Sequence, residues 1–94
     1  MATFVMFGKY SSEAMKGLSK ERTSEAAALV RKCGGEVKAA YALLGQTDLL
    51  LILDLPGTAE AMKTSMGLTK LTGIRFTTSQ AITIEELDKL IGEF

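Results

Sequence analysis

At 94 residues the chain has the size of one domain, spanning 1–94, and a domain this small buries only roughly 60–65% of the surface its unfolded chain exposes. Eleven basic and eleven acidic residues balance to zero without any block of like charge. That argues against a phosphate-backbone footprint or a membrane-surface patch, so neither nucleic acid nor a membrane is an expected partner. Apolar residues reach 47% while charged ones stop at 23%, and a surface so sparse in charge tends toward self-association, so a homodimer or higher homo-oligomer is expected.

The first run, Thr3-Phe4-Val5-Met6-Phe7, is β-branched and aromatic with apolar residues at both alternate positions, and it predicts a central strand ending at Gly8. From Ser12 to Cys33 the period becomes helical, with Met15, Leu18, Arg22, Ala26, Leu29, Val30 and Cys33 on one side. Gly17 and the Ser19 to Thr23 region predict a break there, hence a short first turn and a firmer helix from about Lys20, which Gly34-Gly35 stops. Glu36 to Leu44 returns to strand character, with Val37, Ala39, Tyr41 and Leu43 on one face and Lys38, Ala40, Ala42 and Leu44 on the other. Gly45-Gln46-Thr47-Asp48 makes a turn. Leu49 to Leu53, aliphatic throughout, predicts a strand buried on both faces, so the two strands form a hairpin.

Pro56-Gly57-Thr58 starts a second helix, with Thr58 as N-cap and Ala59, Met62, Met66 and Thr69 at helical spacing, and Gly73 closes it. Met62 and Met66 read as core filler, and Cys33 as a buried thiol. Ile74 to Ala81 sets Ile74, Phe76 and Thr78 against Arg75, Thr77 and Ser79, a half-polar strand suited to a sheet edge, with Arg75 solvated. Thr83 and Glu86 form a capping-box pattern opening a last helix, whose apolar face is Ile84, Leu87 and Leu90 or Ile91.

The order β-α-β-β-α-β with a C-terminal helix predicts an α+β, ferredoxin-like antiparallel sheet with its helices on one face. Two helices cover only one sheet face, yet both central strands are apolar on two sides. The expected cover for the other face is a second copy packed sheet to sheet in a two-fold dimer.

The absences narrow the chemistry. Zero histidines and a single cysteine remove Cys-His and Ser-His-Asp sites, imidazole ligands and thiolate clusters, so no metal, cofactor or catalytic residue is expected. Glu85, Glu86 and Asp88 are helix-start acids that complement the macrodipole. There is no phosphate loop or dinucleotide fingerprint. No apolar run is long enough to span a bilayer, and MATFVMFGKY has no charged region ahead of its apolar part, so a cytoplasmic protein is expected. The lone cysteine agrees with a reducing compartment.

Four residues stand out as candidate ligand contacts: Tyr10, Arg22, Gly45 and Asp48. Arg22 falls on the otherwise apolar side of the first helix, where a charge needs a partner; a ligand carboxylate, an internal salt bridge and snorkelling to the rim are the three readings. Asp48 either accepts a hydrogen bond from a ligand or receives backbone N–H groups in its own turn, where Gly45 supplies a positive φ. Tyr10 and Tyr41 offer phenols or simply packed rings. Ala39, Ala40 and Ala42 leave room either for a pocket or for a close neighbour.

Laid out in this way, the chain resembles the GYD-domain family of small bacterial proteins. The matching stretches are Lys9-Tyr10-Ser11, Lys16-Gly17, Arg22, Gly34-Gly35 with Tyr41 following, Gly45 and Asp48, Ile74-Arg75 and Thr83-Ile84-Glu85-Glu86. Thr47 stands where the tyrosine of the family's Gly-x-Tyr-Asp motif would be, so a role needing that phenol is not carried over. The resemblance implies a ferredoxin-like fold of the dimeric α+β barrel type and supplies no reaction. The hairpin and the strands after it also resemble the effector-binding domains of leucine- and asparagine-responsive regulators, which implies an amino-acid-like or small carboxylate ligand near a subunit boundary.

The expected function is a non-catalytic small-molecule-binding or regulatory oligomer with its site near the subunit boundary, rather than an enzyme. The alternatives are a small cofactor-free enzyme of the monooxygenase or isomerase type and a structural assembly module.

Overall fold

In the computed structural model, which describes residues 1–94, the chain runs β1 (Ala2–Lys9), α1 (Ser12–Lys16), α2 (Lys20–Lys32), β2 (Glu36–Ala42), β3 (Leu49–Leu55), α3 (Thr58–Thr72), β4 (Arg75–Ala81) and α4 (Ile84–Ile91). The sheet order is β2-β3-β1-β4 with every pair antiparallel. This is the ferredoxin-like α+β fold, and the two most apolar strands, β1 and β3, hold its centre as their double-sided patterning requires.

Alternation sends Phe4 and Met6 of β1 and Leu53 and Leu55 of β3 beneath the helices, where they join Val30 of α2 and Ala61 and Leu68 of α3 in the buried core. The opposite face carries Val5, Phe7, Leu50, Ile52, Ala39 and Tyr41, and no helix covers it; Phe7 is 40% and Tyr41 57% exposed.

The first helix breaks where expected. Ser11 caps α1 and Ser19 caps α2, each accepting a backbone N–H with its hydroxyl. Gly73 ends α3 in a left-handed conformation (φ 75°) that glycine adopts without a steric penalty.

Several expectations are corrected. Strand β2 ends at Ala42, not Leu44, and a bulge at Lys38 breaks its alternation. Val37 therefore shares the helix face with Ala40 and Ala42, while Ala39 and Tyr41 lie on the uncovered face. Strand β3 continues past Leu53 to Leu55. The N-cap of α3 is Gly57, without a side-chain cap bond, and Thr58 is the first helical residue.

Met62 and Met66 are not core filler: they are 61% and 64% exposed, and α3 buries Ala61, Thr64, Leu68 and Thr72 instead. The reason is steric. Small residues let α3 approach α2 so closely that a Cβ added at Gly67 would lie 3.1 Å from Leu29 Cδ1. On the first helical segment Ala14 and Val30 are buried, whereas Met15 and Leu18 are half-exposed and Cys33 is only partly covered.

Helix α4 forms with both halves of its capping box in place, Thr83 accepting from the Glu86 N–H and Glu86 from the Thr83 N–H. None of its residues is buried.

Candidate ligand-binding site

Between α2 and the sheet lies a cavity of about 170 Å3. It exists because the residues facing one another there are small: Ala26 and Ala27 on α2 and Ala40 on β2. The Lys38 bulge turns Ala40 to this side, so the cavity depends on one irregularity in β2. Val30, Leu51 and Phe76 complete walls that are mainly apolar.

One charge enters this lining. Arg22 sits in the first turn of α2, its N–H donating 3.1 Å to the Ser19 hydroxyl that caps the helix. Its guanidinium packs under the link between α1 and α2, so that a Cβ added at Gly17 would collide with Nη1. Nη2 is buried and has no hydrogen-bond partner. The chain's single salt bridge joins Lys38 to Asp54 at 3.8 Å, so Arg22 has no protein carboxylate of its own. A buried donor left unpaired costs about 1–3 kcal/mol, more when it is charged. A carboxylate, with two acceptor oxygens matched to the guanidinium fork, is the group that removes this cost best.

Tyr10 lines the same cavity, so two of the four candidate residues come together. The other two do not line it. Asp48 is half-buried, and its Oδ2 accepts the Tyr10 N–H at 2.9 Å. Its own N–H donates to the Gly8 carbonyl, and its carbonyl accepts from Leu43, both at 2.9 Å. Asp48 thus fastens the β2–β3 connection to the end of β1, a structural task that positions Tyr10. Gly45 is exposed at the tip of that connection with φ 154° and nothing near its missing Cβ. Its part is to turn the chain.

What the residue-by-residue reading missed is the scaffold of small side chains. Ala40 was visible as one of three candidate spacers, but choosing it over Ala39 needs the bulge. Ala26 belongs to an apolar helix face, where small size leaves no periodic signal.

Two other concave regions exist. A cleft of about 370 Å3 runs between α3 and β4, walled by Met62, Met66 and Thr78. On the uncovered sheet face a hollow is bordered by Phe7, Lys9, Thr47 and Arg75, and Tyr10 and Phe76 line both this hollow and the cavity under α2. Lys9 and Arg75 are direct cross-strand partners.

Among solved structures, the chain is similar to the crystal structure of the leucine response regulatory protein of Mycobacterium tuberculosis, at 10% identity and a TM-score of 0.58, covering 87% of this chain and 51% of that one. A second crystal structure, of a glutamate-to-alanine mutant, matches at 11% identity and a TM-score of 0.58, covering 87% and 50%. The chain therefore spans about half the length of the solved structures it matches, and at these identities the likeness is one of fold. A comparison with curated proteins found no match. The family model of the GYD domain matches residues 4–91, nearly the whole fold from β1 through α4. The chain belongs to the GYD-domain family.

Proposed function

We propose that this protein is a non-catalytic, small-molecule-binding oligomer whose ligand is a small carboxylate with a short apolar tail, held under α2 with its carboxylate on Arg22. The observation that carries this reading is the buried, unpaired Nη2 of Arg22 in an otherwise mainly apolar cavity. A cavity of about 150 Å3 accepts benzene, so about 170 Å3 suits a ligand of roughly six to eight heavy atoms. Branched aliphatic acids and amino-acid-like carboxylates fall in this range.

The oligomer rests on the uncovered sheet face. Val5, Phe7, Leu50, Ile52 and Tyr41 form an apolar field there. Its rim carries Lys9 and Arg75 at one corner and Glu36 and Asp54 at the diagonally opposite corner. A two-fold axis in the plane of the face, perpendicular to the line joining these corners, sets Lys9 and Arg75 of one copy over Glu36 and Asp54 of the other. Tyr10 and Phe76, shared between the cavity and the hollow on that face, supply the contact between ligand and proposed subunit boundary that a regulatory reading requires.

A thermal-shift and calorimetric titration with 4-methylpentanoate, benzoate and the neutral 4-methylpentanamide tests the site. Stabilisation by the acids, absence of it with the amide, and its loss in Arg22→Met are expected. Equal binding of acid and amide, or full binding by Arg22→Met, would sink the assignment.

A cofactor-free enzyme is the second reading, favoured by a cavity that residues of a single chain wall on several sides. Against it stands the lining, which holds no carboxylate and leaves Tyr10 as the acid–base group. Turnover of a bound acid that disappears in Tyr10→Phe would favour the enzyme.

A further inference from the structure

We infer that α4 is an exchange helix, and that its apolar face seats in the α3–β4 cleft of a second copy of this chain. Helix and cleft are two unsatisfied surfaces of opposite shape. Ile84, Leu87, Leu90, Ile91 and Phe94 are all 40% exposed or more, and no residue of α4 is buried. The cleft offers the exposed Met62 and Met66, flexible side chains that adapt to an incoming apolar ridge. Lengths agree: at 1.5 Å per residue the eight residues of α4 run about 12 Å, and the stretch of α3 from Thr58 to Met66 that walls the cleft runs about 13 Å.

Charge does not oppose the seating: α4 and its tail carry Glu85, Glu86, Asp88 and Glu93 against Lys89, whereas the cleft lining is uncharged and the stretch of α3 beside it carries one charge of each sign, Glu60 and Lys63. The acidic polar face also removes an anionic bilayer as the occupant, since interfacial helices pair their apolar face with Lys and Arg.

The occupant is a second copy because α4 leads away from its own body. Only Ile82 and Thr83 link it to β4, and Thr83 is held in extended conformation by the capping box. The radius of gyration is 14.4 Å and the longest extent 50 Å, against about 12 Å of gyration radius for a compact chain of this length. At roughly 150–200 Å2 for each fully exposed large apolar side chain, the five residues offer on the order of 600 Å2. Reciprocal seating of two helices, counting both surfaces, reaches the size of a stable protein–protein interface. The inference is separate from the sheet-face pairing, which uses the opposite side of the sheet.

Disulfide trapping in a Cys33→Ser background tests it. Chains carrying Leu87→Cys alone and Met66→Cys alone are mixed and oxidised, and a mixed disulfide dimer in several-fold excess over either homodimer is expected. Three results would overturn the inference: no mixed dimer, an intramolecular disulfide in the dilute doubly substituted chain, or preferred trapping of Leu87→Cys by Tyr41→Cys on the sheet face. Because no residue of α4 is buried within its own chain and Ile91 is 57% exposed, Ile91→Glu leaves the body folded by circular dichroism. It should weaken assembly at least tenfold in sedimentation analysis, and unchanged assembly counts against the exchange.

Discussion

Replacing Arg22 by methionine separates a binding residue from a structural one, because the two roles predict opposite changes in stability. Methionine keeps the apolar stem and removes the guanidinium, whose Nη2 is buried without a partner. Removing an unpaired buried donor returns its desolvation cost, about 1–3 kcal/mol. The Arg22 side chain as a whole is only partly buried, so the lower end applies, and the variant gains about 1 kcal/mol. For a domain of this size that raises Tm by about 4–8 °C.

The ligand effect moves the other way. At ten times its dissociation constant a small carboxylate stabilises the native chain by about 1.4 kcal/mol, and the variant should show none of that increment. Urea unfolding with and without 4-methylpentanoate reads both quantities on the same samples. A variant destabilised by 1 kcal/mol or more would mean that the guanidinium is satisfied within the fold, and a retained ligand increment would mean that the carboxylate sits elsewhere. Either result refutes the reasoning.

Other outcomes follow from the same geometry. Asp48→Ala removes the acceptor of the Tyr10 N–H and should cost about 1.5–3 kcal/mol in urea unfolding, since hydrogen bonds to charged groups are worth that much; ligand affinity falls less than in Arg22→Met. Gly17→Ala places a methyl against Arg22 Nη1, so calorimetry should show weaker carboxylate binding with the fold retained. Thr83→Ala breaks the capping box and should lower α4 protection in hydrogen exchange by about 1 kcal/mol, leaving the sheet amides unchanged.

The parts of the fold legible from residues alone are those whose signal is local. The aliphatic run from Leu49 announces a doubly covered strand, and Thr83 with Glu86 announces a helix start; both signals need no knowledge of the rest of the chain. The faces of β2 and α3 were not legible, for reasons that are physical. A single extra residue at Lys38 inverts every later side chain of β2. On α3 the choice of buried face is made by how closely a helix can approach, so Gly67 and Thr64 win over Met62 and Met66.

The site divides along the same line. Arg22 was legible because a charge on an apolar helix face conflicts with its surroundings, and the structure retains that conflict. Gly45 and Asp48 were legible as a turn and are one. The cavity was not legible, since it consists of volume that alanines leave empty, and emptiness appears only when three elements are brought together.

The distribution of apolar surface bears on why so small a chain folds at all. Twelve of its 94 residues are buried, while fourteen large apolar residues are exposed. A domain this size sits near the limit where burial offsets the conformational entropy of ordering the chain. Spending apolar residues on a sheet face and a projecting helix is therefore unfavourable for a monomer. It becomes favourable when a second copy covers those surfaces, because folding and assembly then draw on one pool of buried area. In that proposed arrangement a ligand touching Tyr10 would act on stability and on assembly together. Both effects are then bounded by the ligand's difference in affinity between the assembled and separated chains.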